Sequence, residues 1–226
     1  TSNVRGALSA TASAGTITQN GGALTVAGTS AFTTSTNDQA ITLGDTSNAL
    51  TGAEAFTTGG TTGNVTIDNG TTALDLAAST ISGTLTATGG ASAGIVDSGN
   101  VAVAGNVTLT TDAGNGVINM GTLQQSAGDL LLVTNGNGAA TVVNNVGIDF
   151  GTSNVGGALT VTATTGDITQ AGGALTVAGA SSFTLGANSA NVVLDHASNA
   201  FSGAVTLLAG AGGGQAFGNV TFLEDS

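Results

Sequence analysis

The sequence predicts an all-β fold: a parallel β-helix (β-solenoid) of roughly nine coils, with about three short strands in each coil. Two observations favour this fold. Residues 1–53 recur with few changes as residues 152–204, 151 positions later and without any insertion. Short runs rich in β-branched residues also alternate with clusters of Gly, Asn, Asp and Ser from one end of the chain to the other.

The second copy of the duplicated stretch shows the strand pattern most clearly. Each run has about four residues, alternates between apolar and polar side chains, and is centred about eight residues from the next. No segment shows a sustained helical period, so we expect essentially no helix. The predicted strands are residues 159–162, 167–170, 175–177, 183–185, 192–194 and 205–208.

The duplication decides between a solenoid and a closed fold. A sandwich or barrel has a fixed number of strands and cannot be extended by half a unit, whereas a parallel β-helix accepts any number of coils. Three strands of about eight residues make a coil of roughly 24 residues. Thr160, Thr184 and Thr206 have close to this spacing and are predicted to occupy one strand position in successive coils.

The composition predicts what lies inside and outside the coils. Val, Leu, Ile and Ala are expected to stack in a narrow core without bulky aromatic residues, and Thr, Ser, Asn and Asp are expected to face outwards. Turns between the faces need residues such as Gly or Asn, whose backbones reach the left-handed region at low cost. The regular apolar runs argue against the alternative of a disordered chain.

The predicted domain organisation is one solenoid segment, residues 1–226. It comprises one and a half copies of a 151-residue unit, residues 1–151 and 152–226. Because the sequence opens inside a repeat, we expect it to be a segment of a longer tandem array.

The duplication also shows which side chains the unit requires, and the charged groups are not among them. The only basic residue apart from His, Arg5, corresponds to Gly156, and the only His, His196, corresponds to Asp45. Glu54 corresponds to Val205. A catalytic unit is expected to keep its acid, base or nucleophile, so the pattern predicts a non-enzymatic scaffold with no catalytic residue.

The charge balance excludes several classes of partner. The formal net charge is −12, from 13 acidic residues and one basic residue. Nucleic acids and anionic membrane surfaces are bound through Lys and Arg, so neither is expected as a partner. No apolar run is long enough to cross a bilayer. With no Cys in the chain, thiolate metal sites are also excluded.

Few residues qualify as candidate ligands or catalysts. His196 beside Asp195 lacks a second His or a Cys, and we interpret it as a solvent-facing loop residue. Oxygen ligands for calcium are offered by Asp68-Asn69-Gly70, by Asp112 with Gly114 and Asn115, and by Asp129, but they lack the repeated glycine-rich pattern of calcium-binding β-rolls. We therefore predict no cofactor-binding or metal residues and no cofactor.

Three other features have structural interpretations. A Ser-Asn motif ending in Gly-Ala, at residues 2–7, 47–53, 153–158 and 198–204, predicts a corner whose Asn amide caps the backbone. The offset between the copies changes from 151 to 155 near the end, which predicts a protruding loop at residues 209–217. The Gly cluster within that loop is followed by no Lys, so it is no phosphate loop. Thr-x-Thr pairs, as at Thr84 and Thr86, are too irregularly spaced to predict an ordered array.

One string carries a family resemblance. The stretch Gly157 to Val177, with its repeated Gly-Ala-Leu-Thr-Val pattern, resembles the shaft repeats of filamentous haemagglutinin-like adhesins, giant bacterial surface proteins. The resemblance implies a right-handed parallel β-helix, export to the bacterial cell surface and a rigid extracellular stalk. The secretion domain of such proteins carries Asn-Pro motifs, and this chain contains no Pro.

The predicted function is therefore a structural shaft segment of a large secreted bacterial adhesin that mediates surface attachment or biofilm formation. Its partners would be neighbouring repeats of the same chain and an unidentified surface ligand. A self-assembling extracellular filament or sheath, whose partners are other copies of the chain, is the alternative. A carbohydrate-active enzyme is disfavoured because the copies share no clustered acids or basic residues.

Overall fold

A computed structural model describes residues 1–112, 114–210 and 215–225. The described chain forms an all-β parallel solenoid of about nine coils. It contains no helix. In chain order the strands are β1 (Ser2–Val4), β2 (Leu8–Ala12), β3 (Ile17–Thr18), β4 (Leu24–Val26), β5 (Ser30–Asn37), β6 (Ile41–Leu43), β7 (Ala49–Leu50), β8 (Ala53–Gly59), β9 (Val65–Asp68), β10 (Leu74–Leu76), β11 (Ser79–Ile81), β12 (Leu85–Gly89), β13 (Ile95–Asp97), β14 (Val101–Val103), β15 (Val107–Thr111), β16 (Ile118–Gln125), β17 (Asp129–Val133), β18 (Ala140–Asn144), β19 (Ile148–Val155), β20 (Leu159–Ala163), β21 (Ile168–Val177), β22 (Ser181–Leu185), β23 (Val192–Leu194), β24 (Ala200–Phe201), β25 (Val205–Ala209) and β26 (Val220–Phe222).

The strands form three parallel sheets that run along the rod. Sheet A has three strands, β1, β4 and β7; sheet B has 12 strands and sheet C has 11. The first coils contain three separate strands each, as predicted. Further along, β16, β19 and β21 are long strands that continue round a corner, so two faces of a coil share one strand.

The predicted strands of the second copy are all present, but one predicted column is wrong. Thr160 pairs with Ser182, which pairs with Thr206, whereas Thr184 lies further along the strand and pairs with Thr162 and Leu208. The reason is that the coils differ in length. On sheet C, Ile148 pairs with Ile168, so that coil is shorter than the earlier one in which Ile41 pairs with Val65.

The change in offset between the copies lies within a single coil. Val192 pairs with Val220 on sheet C, and this coil is longer than its first-copy counterpart, in which Ile41 pairs with Val65. The insertion therefore lies in the connection that contains the predicted loop, residues 209–217. Residues 211–214 of that loop lie outside the described part of the chain, so its protrusion stays a prediction.

The core is a continuous column of inward-facing side chains, most of them Val, Leu and Ile. Leu175 is fully buried, and its counterpart Leu24 is half-buried in the second coil and packs against the core. The expectation of a core without bulky aromatic residues is wrong. Phe56, Phe150 and Phe183 are among the largest fully buried side chains.

The Phe rings follow from the stacking of coils. Phe32 and Phe56 are paired in adjacent strands and stack, with 5.7 Å between ring centroids. Phe183 packs edge-on against Phe150 at 6.3 Å and against Phe201 at 6.1 Å. Each core side chain contacts the equivalent side chains of the coils above and below. A large ring fits in such a column when the adjacent coils place other rings or small residues beside it.

Substitution of Phe183 by Ala tests the energetic weight of the aromatic column. The Phe183 ring lies between two other rings, so its removal leaves a cavity. The paired strands hold the coils in place and cannot move together to fill that cavity. We expect the free energy of unfolding to fall by about 3–5 kcal/mol, measured by urea denaturation.

The control for this substitution is Thr184→Ala, next to Phe183 on the outer side of the same strand. It should change the free energy of unfolding by no more than about 0.5 kcal/mol. Equal effects of the two substitutions would contradict the assignment of Phe183 to the inner face and Thr184 to the outer face of β22.

Candidate functional site

The structure gives His196 a local backbone role. It is exposed, and its Nδ1 accepts a hydrogen bond from the backbone N–H of Ser198 at 3.2 Å. In the first copy the Oδ1 of Asp45 accepts the same bond from Ser47 at 2.9 Å. An imidazole and a carboxylate thus cap the same turn, which explains why the two residues can replace each other.

The candidate calcium ligands lie apart from one another. The Oδ1 of Asp68 accepts the N–H of Gly70 at 2.9 Å, and the side-chain oxygen of Asn115 accepts the N–H of Asn137 at 2.8 Å. Asn69 is fully buried and Asp129 is half-buried on another coil. Among residues 1–112, 114–210 and 215–225, no three His, Cys, Asp or Glu side chains group together as metal ligands.

The most elaborate polar site is a pair of buried side chains at one corner, formed by Gln170 and Asn199. The amide groups bond reciprocally: Gln170 Nε2 donates to Asn199 Oδ1 at 2.6 Å, and Asn199 Nδ2 donates to Gln170 Oε1 at 2.9 Å. Asn199 Oδ1 also accepts the N–H of Leu175 at 2.9 Å, and its Nδ2 donates to the carbonyls of Leu194 and Leu223. The pair therefore joins three consecutive coils.

The first copy repeats this Gln–Asn pair with Gln19 and Asn48. Gln19 Nε2 donates to Asn48 Oδ1 at 2.6 Å, Asn48 Nδ2 returns a bond at 3.0 Å, and Leu24 N–H donates to Asn48 Oδ1 at 2.8 Å. The capping role predicted for Asn48 and Asn199 is confirmed. The sequence reasoning missed both Gln residues, although their recurrence in the two copies as Ile-Thr-Gln was a usable signal.

The same motif gave a wrong assignment for Asn3 and Asn154. Both side chains are exposed, and both residues lie in strands, β1 and β19. Asn3 aligns through Thr25 with Ala49, one residue past Asn48. A shift of one residue in a strand moves a side chain to the opposite face, so the Ser-Asn motif has two different structural roles.

Two more buried Asn residues cap other corners. Asn69 accepts the N–H of Leu50 at 2.8 Å and donates to its carbonyl at 2.9 Å. Asn144 makes the equivalent reciprocal pair with the backbone of Gln125, at 2.8 and 3.0 Å. A carboxamide can do this because it carries a donor and an acceptor, which replaces the missing strand partner at a corner.

Exposed and half-buried Asp and Asn side chains cap the turn of the following coil. Asp97 accepts the N–H groups of Gly121 and Thr122 at 2.8 and 2.7 Å, together with the hydroxyl of Thr122. Asp167 likewise binds the backbone and side chain of Asn191. Several acidic side chains therefore join one coil to the next. The other such caps are formed by Asp38, Asn64, Asn106, Asn115, Asp149, Asn188 and Asn191.

The outer Thr residues are more regular than the sequence spacing indicated. Thr18, Thr42, Thr66, Thr86 and Thr108 are paired in register and form one column on sheet C. Unequal coil lengths disguise this column of single Thr residues in the sequence.

Five depressions lie on the described surface beside these features. They hold about 200–380 Å³ and are open to solvent. Their linings are mostly Ala, Gly, Ser and Thr, without a cluster of titratable side chains. No helix capable of spanning a membrane is present among the described residues.

Comparison with known proteins identifies the repeat family. The family model described as "Repeats of unknown function (DUF5649)" matches residues 1–57, 62–130 and 137–208, which is most of the chain. The chain belongs to this family. Two of the matched segments fall within residues 1–151, and the third runs across the boundary between the two copies. No curated protein and no solved structure matched the chain.

Substitution of Asn199 by Ala tests the buried Gln–Asn pair. The N–H of Leu175 would lose its partner inside the rod, and Gln170 would lose both of its bonds to Asn199 while keeping those to the Gly173 carbonyl and the His196 N–H. Each orphaned buried group costs about 1–3 kcal/mol, so unfolding should become easier by at least that amount in urea denaturation. Asn154→Ala is the matched control, since the exposed side chain of Asn154 makes no hydrogen bond with any described residue. If the two variants were equally stable, the network would have no energetic role.

Asp38 provides a pH test of the exposed caps. The N–H groups of Thr61 and Thr62 donate to its Oδ1 at 2.7 and 2.9 Å and hold the pKa of the carboxyl below its ordinary value of 3.8. A depressed pKa means that the cap is complete above the ordinary value and is lost as the pH falls through the folded value. NMR titration should show Asp38 titrating below an Asp in an unfolded peptide of the same sequence. An unshifted titration would exclude the cap in solution.

Proposed function

We propose that the chain is a non-enzymatic shaft segment of a large secreted bacterial surface adhesin, serving attachment or biofilm formation. The observation that carries the proposal is the use of the polar residues. The side chains kept in both copies, such as Gln170 and Asn199, hold one coil to the next. Asp45 and His196, which replace each other between the copies, cap the same turn at the surface.

The geometry supports a mechanical role. The backbone hydrogen bonds between coils run parallel to the rod axis, and strands of adjacent coils pair in parallel along sheets B and C, so consecutive coils are bound to each other along the rod. A rod of about nine coils with a rise of about 4.8 Å per coil is about 40 Å long. In a tandem array the same architecture would add length without a new fold, and the resemblance of residues 157–177 to adhesin shafts supports placing that rod at a bacterial surface.

A self-assembling filament is the second candidate. The observation that favours it is the exposure of apolar side chains on the last described coil: Leu208, Val220 and Leu223 are each nearly half exposed. A second copy stacked on that coil would extend the strand ladders and cover Val220, which lies in register with the buried Val192, while the outward-facing Leu208 would lie beside the added coil.

Lengthening the rod tests the shaft proposal. A second copy of residues 1–151 placed before Thr1 should fold in register, because residue 151 is already followed by the equivalent of Thr1 at position 152. The strand pairing from Ile17 to its counterpart Ile168 passes through seven coils, so the added unit should lengthen the particle by about 35 Å at constant cross-section, measured by small-angle X-ray scattering. A thicker or more compact particle would refute a continuous shaft.

The oligomeric state separates the two candidates. A shaft segment should remain monomeric in sedimentation velocity over a wide concentration range, whereas a filament should grow end to end. Replacement of Leu208, Val220 and Leu223 by Thr should abolish such growth if these side chains form the contact. Surface labelling of cells that produce the full gene product tests the proposed location.

A further inference from the structure

Two irregularities of the solenoid occur together at strand β8. Sheet A ends one strand earlier, at β7. The ladder of sheet B divides at β8: Glu54 pairs with Leu76 of β10, but Thr57 pairs with Thr80 of β11, so the later coil has an extra residue between the two pairings. This extra residue interrupts the backbone pairing between the third and fourth coils.

The side chain at this break is a buried acid. Glu54 is fully buried, and it lies in register between Ser30 and Leu76, which also point into the rod. Neither carboxyl oxygen of Glu54 has a hydrogen-bond partner, and the hydroxyl of Ser30 has none either. In the second copy the equivalent pair is Ser181 and Val205, without an acid.

Only one charged group lies near Glu54 on the described strands packed against β8. It is Asp75 of β10, whose Oδ1 is also buried and unpartnered. β5 and β11 contain no charged residue. The nearest charge is therefore of the same sign, and no cation among the described residues of these strands compensates an ionised Glu54.

Burial, and secondly the charge of Asp75, raises the pKa of Glu54 to about 9. The backbone N–H groups of Asp75 and Glu54 lie near enough to oppose this shift, but neither makes a hydrogen bond of normal geometry with the carboxyl group. At neutral pH the closed rod thus holds a neutral carboxyl group, because an unpaired buried carboxylate is far less stable than a hydrated one.

We propose that the junction of β8 with β10 and β11 is the coil-to-coil contact at which the rod opens first, and that protonation of Glu54 keeps it closed. Acid then strengthens the junction and base loosens it. The opening itself requires no assumption about biological role. Only the interpretation of this junction as the place where a shaft under load first opens rests on the proposed function.

The direction in which pH changes the opening of this junction follows from proton linkage. In the closed rod Glu54 keeps its proton up to about pH 9, whereas in an opened, hydrated junction it titrates near 4.5. Between these values the open form releases a proton that the closed form holds. The opening constant should therefore rise about tenfold for each pH unit across this range and level off above it.

Native-state hydrogen exchange at several pH values, corrected for the intrinsic exchange rate, tests the proposal on the full chain. Amides of β8 and β10 should lose about 100-fold in protection over two pH units within this range. β22, the second-copy counterpart of β5, serves as an internal control and should show no such slope.

Two variants assign the effect to the carboxyl group. Glu54→Gln keeps the size of the side chain and removes the titration, and Glu54→Val installs the residue that the second copy has at position 205. In both variants the pH slope at β8 and β10 should vanish, with the Val variant protected more strongly. If the Val variant fails to fold, the Gln variant still shows whether the carboxyl group causes the pH dependence.

A slope in wild type equal to that in Glu54→Gln would overturn the proposal, as would stronger protection of β8 than of β20 and β22 at neutral pH. These outcomes are independent of the scattering and sedimentation tests of the shaft. If the shaft test failed but the pH dependence of hydrogen exchange at β8 and β10 remained, the mechanical interpretation would be wrong and the pH-dependent opening would still hold.

Discussion

The whole structure depends on one constraint: the backbone of every coil must meet that of the next at the strand spacing of about 4.8 Å. Parallel strands in register place equivalent side chains directly above one another, so each position becomes a column. Inside the rod, this produces stacks such as Phe32 on Phe56. Outside, it produces the Thr column of sheet C. At corners the backbone ladder is interrupted, and polar side chains must supply the missing partners.

The corners explain which residues differ between the two copies. Where the corner is buried, the partner must both donate and accept, and a reciprocal pair such as Gln170 and Asn199 is retained. Where it is exposed, water can complete the bonding, so Asp45 is exchanged for His196. Asp38 and Ser189, which correspond to each other, both have a positive φ, 61° and 58°. The corner conformation is thus kept even where the side-chain cap changes.

Sequence periodicity identified the strands and the fold class, because alternation of apolar and polar residues reports facing directly. It did not give the register between coils. The coils of sheet C are unequal in length, so a fixed period misplaced Thr184 and concealed the Thr column. The Gln–Asn pair was missed in part for the same reason, since Gln170 and Asn199 are 29 residues apart and meet only after a full coil. The aromatic core was missed because the few Phe residues are scattered in the sequence and meet only when the coils stack.

A solenoid has no central core that could average out a local defect, because each coil contacts mainly its two neighbours. Its resistance to opening is therefore set by the weakest interface and not by the sum of all interfaces. The duplication makes the weak interface identifiable: Ser30 and Ser181 occupy equivalent places, yet only the first faces an acid, Glu54, in the next coil. Since Val205 shows that the unit folds with an apolar residue there, the acid is not required for folding. One substitution between otherwise similar units thus makes the strength of a single interface depend on pH, while the ladders on either side retain the shape of the rod.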